Sequence, residues 1–144
     1  MNKDRINSIL KNMSLEDKAR QLTQINADFV KSDVKADATG TSDDLKLAHG
    51  DIYGAGSVLN FGGADDALAV RQKYISQSQN KIPLVMMQDV IHGYRTIYPI
   101  PLAVGCSFDL QLAEDCAYIA AVEAKYNGVD VTFSPMVDLA RDAR

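Results

Sequence analysis

The sequence predicts an α/β fold built on a parallel sheet, and three observations carry that expectation. Short apolar runs of strand type alternate along the chain with helical patterns of about ten or more residues, the length a parallel crossover requires. Glycine and proline punctuate the runs, as at Gly54, Gly62, Gly63 and Pro83. The run Leu84 to Gln88 ends in Asp89, with a glycine turn at Gly93 and an arginine at Arg95 close behind. In parallel α/β proteins the C-terminal ends of strands face the ligand crevice, so an acid delivered there is a binding group by position.

The elements follow in order. Ile6, Ile9, Leu10 and Met13 sit at helical spacing over 4–13. Ser14 caps a second helix, with Asp17 three residues on as in a capping box, and the helix carries Leu15, Lys18, Ala19 and Leu22. A short strand is expected over 24–29. The polar stretch 31–44 reads as an exposed loop, and 43–49 as a short helix ending near Gly50. A buried strand lies within 54–63, flanked by glycines, and a helix covers 64–79 with Ala67, Leu68, Val70, Arg71 and Ile75 on a mixed face. Pro83 opens the strand 84–88, in which Met86 and Met87 point to opposite faces as packing residues. Two prolines keep 97–101 extended. Asp109 caps a long helix over 110–126, which Asn127-Gly128 closes. The last strand covers 129–134, and 135–144 leaves it as a polar loop. Right-handed crossovers between three or four such strands make a parallel sheet whose last edge has no covering helix. That pattern predicts part of a larger sheet; a small complete three-layer domain is the alternative.

Size and composition bound the function. The 144 residues suffice for one domain, with 47% hydrophobic and 24% charged residues and a net charge of −4. Lysines and arginines do not cluster and aromatics do not interleave with them, so no nucleic-acid partner is expected. No apolar run approaches the roughly 20 residues that span a bilayer, so no membrane partner is expected either. The residues after Met1 lead straight into an amphipathic helix without a signal peptide, which predicts a cytoplasmic location for the chain as written. Cys106 and Cys116 lack metal or redox spacing and read as free, buried thiols. The glycines form no phosphate loop, and neither a metal nor a cofactor is called for.

The chemistry concentrates in 84–96. A carboxylate accepts hydrogen bonds from two hydroxyls and a guanidinium donates to the same oxygens, so Asp89 with Arg95 suits a neutral, hydroxyl-rich ligand such as a sugar ring. Asp89 could instead bond the backbone of Ile91 and His92 in a turn. His92 titrates near neutrality but reads as a structural histidine under the loop, and His49 as an exposed one complementing a helix dipole. Glu114, Asp115 and Glu123 read as a solvated helix face. Arg141, Asp142 and Arg144 could form a charged subsite; the preferred reading is that Arg141 and Asp142 pair with other loops and order the strand end.

Four segments together resemble the N-terminal domain of glycoside hydrolase family 3, the β-glucosidase type. They are Asn12 to Leu22, Gly56 to Asn60, Ile82 to Gly93 with Arg95 to Leu102, and Phe133 to Arg144. The order and spacing are the family's, and the match covers nearly the whole chain. The resemblance implies that residues 1–144 are the N-terminal part of a (β/α)8 barrel domain, an incomplete barrel with its first three or four strands and their helices. It implies a parent enzyme that is a retaining, exo-acting β-glucosidase acting on a terminal β-glucoside or oligosaccharide. The family's nucleophile and acid/base carboxyls lie in later motifs, so no catalytic residue is expected here, and Asp138 is not the nucleophile. Asp89 matches the aspartate that grips the sugar's hydroxyls, and Arg95 an arginine that assists in several subgroups. Ala143 stands where the family usually has proline. The resemblance further implies that the chain is inactive alone and partners either the remainder of the hydrolase or itself, through open sheet edges. It leaves a periplasmic or secreted location open for the parent. The β-N-acetylhexosaminidase branch, with its Asp-x-Glu-Gly-Gly, departs from Asp89-Val90-Ile91-His92-Gly93. The rival class is a non-catalytic sugar-binding or assembly module.

Overall fold

The computed structural model describes residues 3–32, 35–36, 40–41, 44–137 and 141, with the backbone alone at 35–36 and 40–41. It is α/β, as expected. The elements are α1 (Lys3–Asn12), α2 (Leu15–Arg20), β1 (Gln24–Asn26), α3 (Ala27–Ser32), β2 (Lys35–Ala36), β3 (Gly40–Thr41), α4 (His49–Ile52), β4 (Ser57–Leu59), α5 (Ala64–Gln77), β5 (Val85–Gln88), α6 (Pro101–Gly105), α7 (Leu110–Tyr126) and β6 (Val131–Thr132). Four strands form the main sheet in the order β1-β4-β5-β6, with β1 parallel to β4 and β5 parallel to β6. That is the strand sequence of an opening barrel arc. No helix among the described residues is long and apolar enough to cross a membrane. The chain forms two compact units, residues 1–86 and 87–144.

In the first unit the core gathers Ile25, Phe29, Val30, Val58, Val70 and Tyr74, all buried. Tyr74, on α5, buries its ring completely and donates its hydroxyl to the Ala55 carbonyl at 2.5 Å. Gly56 is glycine because a side chain there would run into the Gln21 carbonyl. Ser14 caps α2 by accepting from Asp17 N at 3.0 Å. Its hydroxyl and backbone N–H in turn hold the Asp17 carboxyl below the usual carboxylate range. Arg20 reaches across to Asp51 at 2.9 Å.

Several expectations for this unit need correction. The strand expected over 24–29 stops at Asn26, whose Oδ1 accepts from Asp28 N at 2.9 Å and starts α3 there. The helix expected over 43–49 is displaced to α4. Lys46 turns into the left-handed region at φ 54°, and Asp51 Oδ2 accepts from Ala48 N at 3.0 Å, which fixes the new start. His49 is exposed, as expected, but it is the first residue of the four-residue α4 rather than the end of a helix, and its ring lies tilted at 41° against Tyr53 with centroids 4.5 Å apart. The loop expected over 31–44 contains the antiparallel pair β2–β3, and its residues 33–34, 37–39 and 42–43 lie outside the described ones. Helix α2 ends before Leu22, which is exposed, and Ile6 and Leu10 of α1 are exposed as well.

In the second unit a small core joins Val90, Ala120 and Ala124, with Tyr94, Tyr98 and Val129 packed against it. Asp109 caps α7 as expected, its Oδ1 accepting from Gln111 N at 3.0 Å and Leu112 N at 3.1 Å, and Gly128 closes the helix at φ 86°. Pro101, expected in an extended stretch, instead opens the short helix α6, where a first-turn proline loses no hydrogen bond. β6 is shorter than the expected 129–134. The Thr132 hydroxyl accepts from Ser134 N and Val90 N, each at 3.3 Å, and Pro135 has no N–H to continue a ladder. Cys106 is exposed and Cys116 half-buried, against the expectation of buried thiols. Asp138, Asp142, Ala143 and Arg144 lie outside the described residues.

Candidate active site

β5 is a strand because Leu84 and Met86 are drawn into apolar packing, at 3% and 0% exposure. The strand ends at Gln88, which pairs with Thr132 of β6. Asp89 follows at once, at the C-terminal edge. It is exposed, and among the described residues it makes no hydrogen bond or ion pair. The turn-capping alternative, a bond to the backbone of Ile91 or His92, is thus not what holds it.

Behind Asp89 the chain folds into a closed turn. Tyr98 N donates to the His92 carbonyl at 2.8 Å, and His92 Nδ1 lies 3.0 Å from the Tyr98 carbonyl, so the imidazole works as a turn anchor. Gly93 bridges Ile97 at φ 114°, where a side chain would meet the Thr96 carbonyl. Arg95 sits at the exposed tip. No ion pair joins Arg95 to Asp89 among the described residues.

Sequence reasoning missed the residue that holds this tip. Glu123, read as part of a solvated face, accepts from Arg95 N at 3.0 Å, Thr96 N at 2.9 Å and the Thr96 hydroxyl at 2.6 Å. The Thr96 hydroxyl bond, then its N–H, hold the Glu123 carboxyl below the usual range. Partial burial, then the charges of Glu123 and Cys116, push Tyr98 upward. The signal was present: an acid in the last turn of a helix opposes the macrodipole and needs donors from elsewhere.

The second unit also contains a cleft of about 710 Å³, walled by the small residues of α7, the turn at His92 and Tyr98, and Phe108 and Pro135. Asp89 and Arg95 do not line it. Its walls are mostly apolar, with His92, Asp109, Thr132 and Ser134 among the polar side chains on them. Among the described residues no three His, Cys, Asp or Glu gather as a metal site.

The edge of β5 and the turn behind it thus present an exposed carboxylate at Asp89 and an exposed arginine at Arg95, groups whose chemistry suits hydroxyls. Comparison with known proteins bears on what that edge belongs to. The chain is 30% identical over 141 residues to the periplasmic β-glucosidase of Salmonella typhimurium, covering 96% of this chain and 17% of that protein. It is 29% identical over 156 residues to a putative β-xylosidase of Formosa agariphila, covering 98% and 20%. The crystal structure of a β-glucosidase from Listeria innocua in complex with glucose superposes with a TM-score of 0.88 at 39% identity, over 99% of this chain and 20% of that one. The chain therefore spans about a fifth of the length of these relatives. Residues 14–144 match the glycosyl hydrolase family 3 N terminal domain, and the chain belongs to that family.

Proposed function

We propose that this chain supplies the first arc of the barrel in a retaining β-glucosidase and one side of the pocket for the terminal glucosyl ring. Asp89 carries the reading. A carboxylate at the C-terminal edge of β5, exposed and without a partner among the described residues, has its full accepting capacity available for two ring hydroxyls. Arg95 donates to the same ring. The relatives support glucose or a closely related neutral sugar as the glycone, and the Salmonella relative supports a periplasmic setting for the whole protein.

In a retaining hydrolase one carboxylate attacks the anomeric carbon while a second carboxyl protonates the leaving oxygen. In this reading neither group comes from residues 1–144, and the chain acts by orientation. Fixing the ring's hydroxyls holds the anomeric carbon in line for attack, a contribution realised in kcat as well as in binding. The chain alone does not turn over substrate.

The test is a chimera in which this chain replaces the matching segment of the Listeria innocua β-glucosidase. The chimera is expected to hydrolyse an aryl β-glucoside. Asp89→Ala removes two charge-assisted hydrogen bonds and lowers kcat/KM by about a hundredfold or more, equivalent to roughly 3 kcal/mol. A folded chimera without turnover, or an Asp89→Ala variant with unchanged kcat/KM, contradicts the reading.

A further inference from the structure

We propose that Glu123 is a positioning residue for the glycone site: it fixes the tip of the turn 92–98 so that Arg95 is presented to the sugar. The inference rests on the proposed role of Arg95 and adds to it the group that sets its geometry. The base of the turn closes without Glu123, through the reciprocal His92 and Tyr98 contacts at 2.8 and 3.0 Å. The tip is different. Arg95 and Thr96 are both exposed, so packing does not fix them. What fixes them is one carboxylate on α7, which takes both consecutive backbone N–H groups on Oε2, at 3.0 and 2.9 Å, and the Thr96 hydroxyl on Oε1 at 2.6 Å.

The choice of donors carries the argument. A glutamate beside an arginine would ordinarily take the guanidinium in a fork. Here the carboxylate bonds the backbone of Arg95, and no Arg95–Glu123 ion pair forms among the described residues. The residue is held by its main chain, while its head group acts on Glu123 through its charge without closing an ion pair among the described residues. An anchor that consumed the guanidinium would remove the function it supports. Glu123 itself stands on a helix that is capped at both ends, by Asp109 and by Asn127-Gly128, so it is a rigid post.

Two measurements test this. In the 144-residue chain, hydrogen exchange at the Arg95 and Thr96 amides is expected to speed up at least tenfold in Glu123→Ala and to stay nearer the parent value in Glu123→Gln, which keeps one acceptor oxygen. Unchanged exchange in Glu123→Ala overturns the proposal whether or not any enzyme assay succeeds. In the Listeria chimera, inhibition by glucose is compared for Arg95→Ala, Glu123→Ala and the double variant. Glu123→Ala is expected to weaken glucose about as much as Arg95→Ala, by tenfold or so, and the double variant to be no weaker than Arg95→Ala, because Glu123 acts through Arg95. A purely structural role gives additive losses and overturns the proposal. If Glu123→Ala leaves glucose inhibition unchanged while Arg95→Ala weakens it, the proposal falls and the glycone reading stands. If Arg95→Ala also has no effect, the assignment of Arg95 falls, and the proposal with it.

Discussion

Asp89 and Glu123 are both acids in the second unit, and the sequence singles out only Asp89 as a candidate binding group. Asp89 announces itself because it ends an apolar strand run, where a carboxylate has no packing role. Glu123 hides because its partners, at Arg95 and Thr96, lie more than twenty-five residues away and donate through backbone N–H groups that no side-chain pattern encodes. His92 was legible as structural, and its contact with the Tyr98 carbonyl supplies the reason. Glu123 also sets an acid limit on the turn. Its folded-state pKa lies below the ordinary 4.5, first through the Thr96 hydroxyl and N–H and then through Arg95. A depressed carboxylate pKa contributes order that is complete above 4.5 and is lost as pH falls through the lower, folded value. The Thr96 and Arg95 amide resonances are therefore expected to move together in a single titration with a midpoint below 4.5, and to stay flat over that range in Glu123→Gln. A midpoint at or above the ordinary value would show that the carboxylate does not hold the turn.

At the scale of elements, the long helices and the strands β4 and β5 were readable, and α4 and the bounds of β6 were not. α5 and α7 carry enough turns for periodicity to show, and α7 announces both ends through Asp109 and Asn127-Gly128. α4 and β6 are four and two residues long, and their positions follow from single contacts: the Asp51 carboxylate on Ala48 N, and the Thr132 hydroxyl on Ser134 N and Val90 N. Periodicity has no purchase on elements about one period long. The break at Asn26 is of the same kind, a side chain competing with the ladder for the backbone. The Asp109 cap is worth measuring, because α7 carries Glu123. Asp109→Ala leaves two first-turn N–H groups without their acceptor and is expected to cost about 1 kcal/mol in urea denaturation, within a range of about 0.5–2. No change in the midpoint would mean that solvent replaces the cap at no cost.

At the scale of the molecule, the alternation of runs and helices identified an α/β sheet, and the strand order β1-β4-β5-β6 with parallel pairs at both ends matches an opening barrel arc. The apolar surface was less legible. Leu102, Phe108, Leu110, Tyr118 and Val137 are apolar or aromatic, yet each is more than two-thirds exposed. In the proposed reading the rest of the barrel covers these side chains. The central claim, that Asp89 grips the glycone, is tested most directly by the crystal structure of the Listeria chimera soaked with glucose. The account predicts both carboxylate oxygens of Asp89 within about 3 Å of adjacent ring hydroxyls. Glucose bound with the Asp89 carboxylate beyond hydrogen-bonding reach of every hydroxyl would contradict it.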